Sequence, residues 1–275
     1  MQFRVVHSTD YFYDAPVALG PHIVRLQPRA DGTIRILGQE LKVTPEPVTR
    51  SEGLDLNGNI VTHLCFAGTT NRFSIESSFE VETLRTNPFD FVPAAGFARL
   101  PVDGPSELAA CCAPREQLAE AVVALSDRLA EECRHDTLRF LTRLNGRLFE
   151  TIEHDVRHDG EALPPEKTLA LGNGACRDIA MLFLAACRAQ GLAGRFVSGY
   201  QARSKRPERY LHAWPEVYVP GGGWRGFDPT RGLAIADTHV AVAAAPTPVG
   251  AMPIEGSFTG QASSHMTYHI SIEAN

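Results

Sequence analysis

Three side chains in this sequence carry acyl-transfer chemistry if the fold brings them together: Cys176, His212 and Asp228. A thiol is a useful nucleophile only as the thiolate, and a free cysteine of pKa about 8.5 is mostly protonated at neutral pH. Two devices lower that value. One is a helix N-terminus, whose unpaired N–H groups and dipole favour an anion. The other is a neighbouring imidazolium. Cys176 stands where a Gly-containing loop enters a helical run, so the sequence supplies the first device, and His212 is available for the second. A carboxylate on the far ring nitrogen of the histidine would fix its tautomer and its orientation, the role open to Asp228. Taken singly, each residue has an ordinary reading: a buried small side chain, a structural histidine, a turn aspartate before proline.

The elements that must position these groups are legible as periodicity. In GNGACRDIAMLFLAACRAQGLAGRFVSGY, residues 172–200 read as loop, helix, turn and strand, with Ile179, Leu182, Phe183 and Ala186 as the buried helix face and Gly191 as the C-terminal cap. HAWPEVYVPGGGWRGFDPT reads as two strands joined at Gly221–Gly223, which carries His212 and Asp228 on one hairpin. Pro215 lacks a ladder donor and predicts an edge position or a bulge in the first of them. Upstream, Leu118, Val122, Leu125 and Leu129, then Leu141, Leu144, Leu148 and Ile152, recur at helical spacing, so helix is predicted from about 107 to 157, with a further short helix at 165–171.

The first hundred residues change period. Short β-branched and aromatic runs alternate between turn signals, and Phe73, Ile75, Ser77, Phe79, Val81 and Thr83 line one face of a half-buried strand. The Pro- and Gly-rich segment 87–107 reads as a linker, and MTYHISIE at 266–273 as a last strand. The predicted class is therefore α+β: an antiparallel, sandwich-like β domain at 1–100, then a core at 101–275 of helices packed on an antiparallel sheet, with a helical lead-in.

Composition excludes several classes. The chain has 275 residues, 44% of them hydrophobic, which suits one large domain or two smaller ones with a real core. With 26 basic and 32 acidic residues the net charge is −6, which argues against a protein that holds nucleic acid through a broad basic field. The densest apolar run, Ile179 to Cys187, is far shorter than the ~20 residues that cross a bilayer. Without a signal-like start the expected location is the cytoplasm, and there the six cysteines default to free thiols. They show no paired CxxC spacing, and the remaining histidines no ligand spacing, so neither metal nor cofactor is predicted.

The wording around all three residues resembles the transglutaminase-like superfamily of papain-like fold. It is most similar to a bacterial branch of cysteine-protease-like proteins with an N-terminal β domain. The family pattern G-x-C-x-D-x-A stands here as Gly174-Ala175-Cys176-Arg177-Asp178-Ile179-Ala180, followed by GLAGRFVSGY at 191–200. The second block stands as His212-Ala213-Trp214-Pro215-Glu216-Val217-Tyr218, then Gly226-Phe227-Asp228-Pro229-Thr230. The stretches YFYDAPVALGPHIVRLQP and HVAVAAAPTPVGAMPIEGSFTG extend the likeness over nearly the whole chain. Pro215 in place of Val, His158 in place of an aromatic and Arg231 in place of Asn depart from the pattern.

The resemblance implies Cys176 as nucleophile, His212 as general base and acid, Asp228 as orienting carboxylate and the Cys176 backbone N–H as one oxyanion donor. The second donor stays open, with Asn173 a candidate. Asp178 is read as a helix-dipole or capping partner. The basic run 203–207 is read as a solvated loop. The expected reaction is thioester-forming attack on an amide of a peptide or protein substrate, resolved by water. The same three residues would serve a transglutaminase resolving the thioester with an amine. A peptide-binding module without catalysis and an acyl transferase of the arylamine N-acetyltransferase kind are the rival readings. No nucleic-acid or membrane partner is expected.

Overall fold

The computed structural model describes residues 1–157, 159–203 and 209–275. The basic run 203–207 and His158 therefore fall largely outside the described residues, apart from Arg203, which is exposed. The chain opens with β1 (Gln2–Val24), β2 (Ile34–Thr44), β3 (Thr49–Leu54), β4 (Ile60–Cys65) and β5 (Thr70–Thr83). After short turns come α1 (Glu120–Glu132), α2 (Thr137–Thr151), β6 (Glu153–His154), α3 (Pro165–Leu171), β7 (Asn173–Gly174) and α4 (Cys176–Ala189). The remaining elements are β8 (Gly194–Gln201), β9 (His212–Val219), β10 (Gly223–Asp228), β11 (Leu233–Ala234), β12 (His239–Ala245), β13 (Ile254–Thr259) and β14 (Ser264–Ala274).

β1 organises the first sheet. It runs straight through the Gly20-Pro21 turn signal because the register slips between Leu19 and His22 and leaves that dipeptide outside the ladder with β13. Its first half pairs with β5 and β14, its second half with β4 and β13. The sheet, in the order β2-β5-β1-β4-β3, is antiparallel and curled by these changes of partner. The expected boundary at residue 100 gave the tail to the second unit. The register instead returns β13 and β14 to the first sheet, Phe3 facing Ala274 and Tyr13 facing Ser264. Two strands of this sheet escaped the sequence reading. β3 is exposed along its whole length, and β13 has only scattered cover, so neither shows an alternating face.

The predicted helical stretch begins later than residue 107: two short 3₁₀ turns at 106–111 and 115–117 precede α1, each entered from a proline, Pro105 and Pro114. α2 is capped by Asp136, whose carboxylate accepts the Arg139 N–H at 2.8 Å. α4 is buried nearly all round, as expected of a helix apolar on every side. One side, with Ile179, Phe183 and Ala186, packs on α1 and α2. The other presents Ala180 and Leu184 to Ala213, Ala243 and Ala245 of the second sheet, small residues that let helix and sheet approach closely. Gly191 ends the helix for two reasons: its φ is +77°, and a Cβ there would lie 1.8 Å from the Val102 carbonyl oxygen.

The second sheet has the order β11-β10-β9-β8-β12. β9 is therefore interior, which removes the edge position from the two alternatives, edge or bulge, that Pro215 predicted. Its ladder with β8 passes through Pro215 opposite Phe196, while the ladder with β10 stops at Glu216, one residue short of the proline. Beyond that point β10 turns to pair with β11. The missing N–H is accommodated where the neighbouring strand leaves. The two sheets meet through Phe3, Val5, Phe79 and Val81 on one side and Tyr200, Val240 and Val242 on the other.

Candidate active site

The approach to Cys176 is fixed by a chain of short constraints. α3 ends at Gly172, which adopts a left-handed φ of +66°. The next two residues, β7, pair in parallel with β6, His154 lying opposite Gly174. Asp178, one turn into α4 and 1% exposed, reaches back to accept the Ala175 N–H at 2.8 Å. Its other oxygen accepts the Leu163 N–H and the Arg157 guanidinium, each at 2.8 Å. Asp178 thus holds the loop that delivers the thiol, in agreement with a capping role. A Cβ on Gly174 would crowd Asp178 and Thr168 at 3.0 and 3.1 Å, so glycine there lets the loop close.

Cys176 occupies the first position of α4 and His212 the first position of β9, while Asp228 closes β10. The three come together. His212 Nε2–H donates to Asp228 Oδ2 at 2.9 Å, both side chains being fully buried. That leaves Nδ1, which has no nitrogen or oxygen partner among the described residues, for the sulfur. Asp228 is held from four directions. Oδ1 accepts the Thr230 N–H at 3.0 Å and the Thr230 hydroxyl at 2.7 Å, and Oδ2 also accepts His239 Nε2–H at 3.1 Å. Thr238 Oγ1 lies 2.9 Å from His239 Nδ1 and donates to it, which fixes His239 as the Nε2–H tautomer.

The electrostatics follow from these contacts. Burial alone would raise the Cys176 thiol, but hydrogen bonding from His154 and then from His212 brings its pKa down to about 6. Cys187, equally buried further along the same helix and without such neighbours, is pushed well above the ordinary thiol value by burial. The contrast isolates the two histidines as the cause. Burial also opposes a charge on His212, yet the Asp228 carboxylate and the Cys176 sulfur raise it to about 10. Asp228, despite its burial, is held well below the usual carboxylate range by His212 and His239. His239 is lowered by burial and stays neutral. Between about pH 6 and pH 10 the favoured state is therefore thiolate and imidazolium.

Two histidines next to the reacting groups carried no signal of their own in the sequence. His154 reaches the sulfur only because β6 pairs with β7, and His239 reaches Asp228 only because β12 lies beside β8. Asn173, the sequence candidate for an oxyanion donor, is exposed, and its contribution is backbone pairing with Glu153. Trp214 is buried beside His212 and His239, and Trp224 stacks under Arg195 at 4.2 Å; neither lines the space in front of Cys176. Arg231, a departure from the family pattern, donates to Gln201 Oε1 at 3.2 Å and ties the end of β8 to the turn after β10. As for metals, His212, Asp228 and His239 offer ligand atoms within 4.8 Å of one another. The hydrogen bonds already described account for that cluster.

Comparison with known proteins bears on the same residues. The family described as "Bacterial transglutaminase-like N-terminal region" matches residues 3–82, and "Transglutaminase-like superfamily" matches residues 123–229, which contain Cys176, His212 and Asp228. The chain belongs to the transglutaminase-like superfamily. Over 98% of its length it is 25% identical to an uncharacterized protein of Mycobacterium leprae, covering 98% of that protein. An uncharacterized protein of Mycobacterium tuberculosis is 24% identical over 88% of this chain and 82% of its own. Among solved structures, a Cytophaga hutchinsonii protein named "Putative Cysteine Protease" aligns with a TM-score of 0.71 and 21% identity, over 100% of this chain and 91% of that one. This likeness shows the fold: an antiparallel N-terminal sheet joined to a transglutaminase-like core. Among the described residues no helix is long and apolar enough to cross a membrane.

Proposed function

We propose that the protein is a cysteine-dependent acyl transferase that cleaves amide bonds of a peptide or protein substrate, with water as the final acceptor. The observation that carries this reading is the buried grouping of Cys176, His212 and Asp228 at the mouth of α4, in which the carboxylate accepts from four donors. The Cys176 thiolate attacks the carbonyl carbon, and the carbonyl π electrons move to oxygen. The Cys176 backbone N–H, at the first turn of α4 and without a partner among the described residues, and the His154 side chain receive that oxyanion; one such donor lowers a barrier by about 3 kcal/mol. The tetrahedral intermediate collapses, the C–N bond breaks, and the amine takes the proton from His212 Nδ1. The now neutral Nδ1 accepts a proton from water, hydroxide adds to the thioester, and collapse expels the thiolate beside a restored imidazolium. Asp228 keeps the ring aligned and its charge state stable throughout. Water is favoured over an amine acceptor because water is always present at the site, whereas transamidation needs a dedicated amine-binding site.

The compartment belongs to the same reading. All six cysteines are free thiols, which suits the reducing cytoplasm. The test is mass spectrometry of a peptide library incubated with the protein, with and without added lysine methyl ester, and with Cys176→Ala as control. Cleaved peptides that require Cys176 support hydrolysis. Amine adducts in place of cleavage overturn the choice of water. Unchanged peptides in both arms overturn the enzymatic reading.

A further inference from the structure

The face of β1 that packs against the second sheet does not end where that packing ends. Phe3 and Val5 are buried between the sheets. The next residues on the same face, His7, Thr9 and Tyr11, line a cavity of about 270 Å³ that opens onto Cys176. β14 supplies their cross-strand partners in register: His7 faces Ile270, Thr9 faces Tyr268 and Tyr11 faces Met266. Because side chains alternate along a strand, all six stand on one side of the sheet and form a single wall. The same cavity is lined by Met252, Pro253 and Ile254, at the entrance of β13, and by Leu211, just before His212. Cys176 and Arg177 close the floor.

Two properties of this wall point to an occupant. Large apolar side chains of the 252–254 segment and of β14 converge on it and stay in solvent: Met252 is 46% exposed, Met266 45% and Tyr268 37%. An apolar rim around a reactive group is the usual form of a ligand site, not of an idle surface. The wall formed by β1 and β14 is also uncharged, the charged lining of the cavity, Asp155, Arg157 and Arg177, coming from other segments. His7 is fixed between the Tyr200 hydroxyl, 2.8 Å from Nδ1, and the Thr9 hydroxyl, 3.2 Å from Nε2, and burial lowers its pKa to about 4. The volume lies just under the roughly 300–1,000 Å³ of sites for drug-sized ligands, which suits one large side chain better than a long segment.

We propose that the cleft between β1–β14 and the 252–254 segment binds an aromatic or long aliphatic side chain on the acyl part of the substrate that Cys176 attacks. The N-terminal sheet and the C-terminal strand are then specificity elements of the site. This rests on Cys176 being the nucleophile. Full burial of such a side chain is worth roughly a tenfold to hundredfold gain in binding.

The experiment compares three alkylating reagents that share one warhead: 2-chloroacetamide, N-benzyl-2-chloroacetamide and N-(carboxymethyl)-2-chloroacetamide. Peptide mass spectrometry gives the second-order rate at Cys176 in the full chain. The benzyl reagent should react at least tenfold faster than the parent reagent, and the carboxymethyl reagent no faster than the parent. Met266→Asp should cut the benzyl-to-parent ratio by about tenfold, while Met266→Leu preserves it. Using the ratio within one variant removes any change in thiol reactivity or folded fraction. A ratio near one with fast Cys176 labelling overturns the cleft proposal and leaves the thiolate reading standing. Slow labelling of Cys176 by all three reagents, no faster than the other cysteines, overturns both.

Discussion

Replacing both histidines that face the sulfur, as His154→Ala/His212→Ala, removes everything that lowers the thiol and leaves burial, which raises it. The thiol should move from about 6 to at least its ordinary value of 9.0. At pH 7 the thiolate fraction then falls from about 0.9 to about 0.01, close to a hundredfold. A more basic thiolate is also a better nucleophile: with a Brønsted slope of about 0.45, a change of three in pKa returns roughly twentyfold. The net loss at pH 7 is therefore only about fivefold, and a single rate at neutral pH would understate the effect. The pH profile does not. At pH 5 the unmodified protein should react some tens of times faster. Near pH 8 the two curves should cross, and above it the variant should lead. The double variant is a fair test of the sulfur because Asp228 keeps its His239 and Thr230 donors and is not left as a bare buried charge. The assay is iodoacetamide labelling between pH 4.5 and 9.5, with Cys176 resolved from the other cysteines by peptide mass spectrometry. A midpoint near 9 in the unmodified protein, or curves that fail to cross, refutes the reasoning.

Other consequences are direct. Asp228→Asn removes the charge that sustains the His212 imidazolium and offers one carbonyl oxygen to four donors, so peptide turnover should fall by about a thousandfold and stability by about 2–4 kcal/mol, read from kcat and urea melts. Gly191→Ala meets both a left-handed φ of +77° and the Val102 carbonyl, and should cost at least about 2 kcal/mol, a Tm loss of about 4–8 °C by calorimetry. His7 has a folded pKa of about 4 and an unfolded one near 6.5, so the unfolded chain binds the proton first and stability falls as pH drops through that window, by up to about 3 kcal/mol. His7→Gln should flatten the acid limb of the Tm–pH curve between pH 6.5 and 4, and an unchanged limb would refute the assignment.

Which parts of the site were legible in the sequence follows from how each residue is held. Cys176, His212 and Asp228 lie at the ends of strongly periodic elements, so their neighbours announce helix entrance and hairpin, and short-range pattern suffices to place them. Asp178 was legible for the same reason: a carboxylate in the first helical turn has a local partner, here the Ala175 N–H. His154 and His239 were not. Each depends on pairing between segments distant in sequence, β6 with β7 and β12 with β8, and a two-residue strand such as β6 has no period to read. Pro215 marks a disturbance in its strand, but sequence alone leaves edge and bulge open, because a missing donor can also be accommodated by the neighbour's departure.

The tail shows the same principle at larger scale. The alternation at 266–273 reveals a strand but not which sheet it joins, and proximity in sequence assigns it to the second unit. The sheet it joins is decided by β1, long enough to carry β5 on one side of its first half and so leave the other side open. Filling that side with β14 buries Ile270 between the sheets and sets Tyr268 and Met266 beside Cys176. The strand that completes the N-terminal sheet is thereby the one that shapes the space in front of the thiol. A change that loosens β14 should therefore alter selectivity before it alters the reactivity of the sulfur, whose pKa depends on His154 and His212 and on no residue of β14.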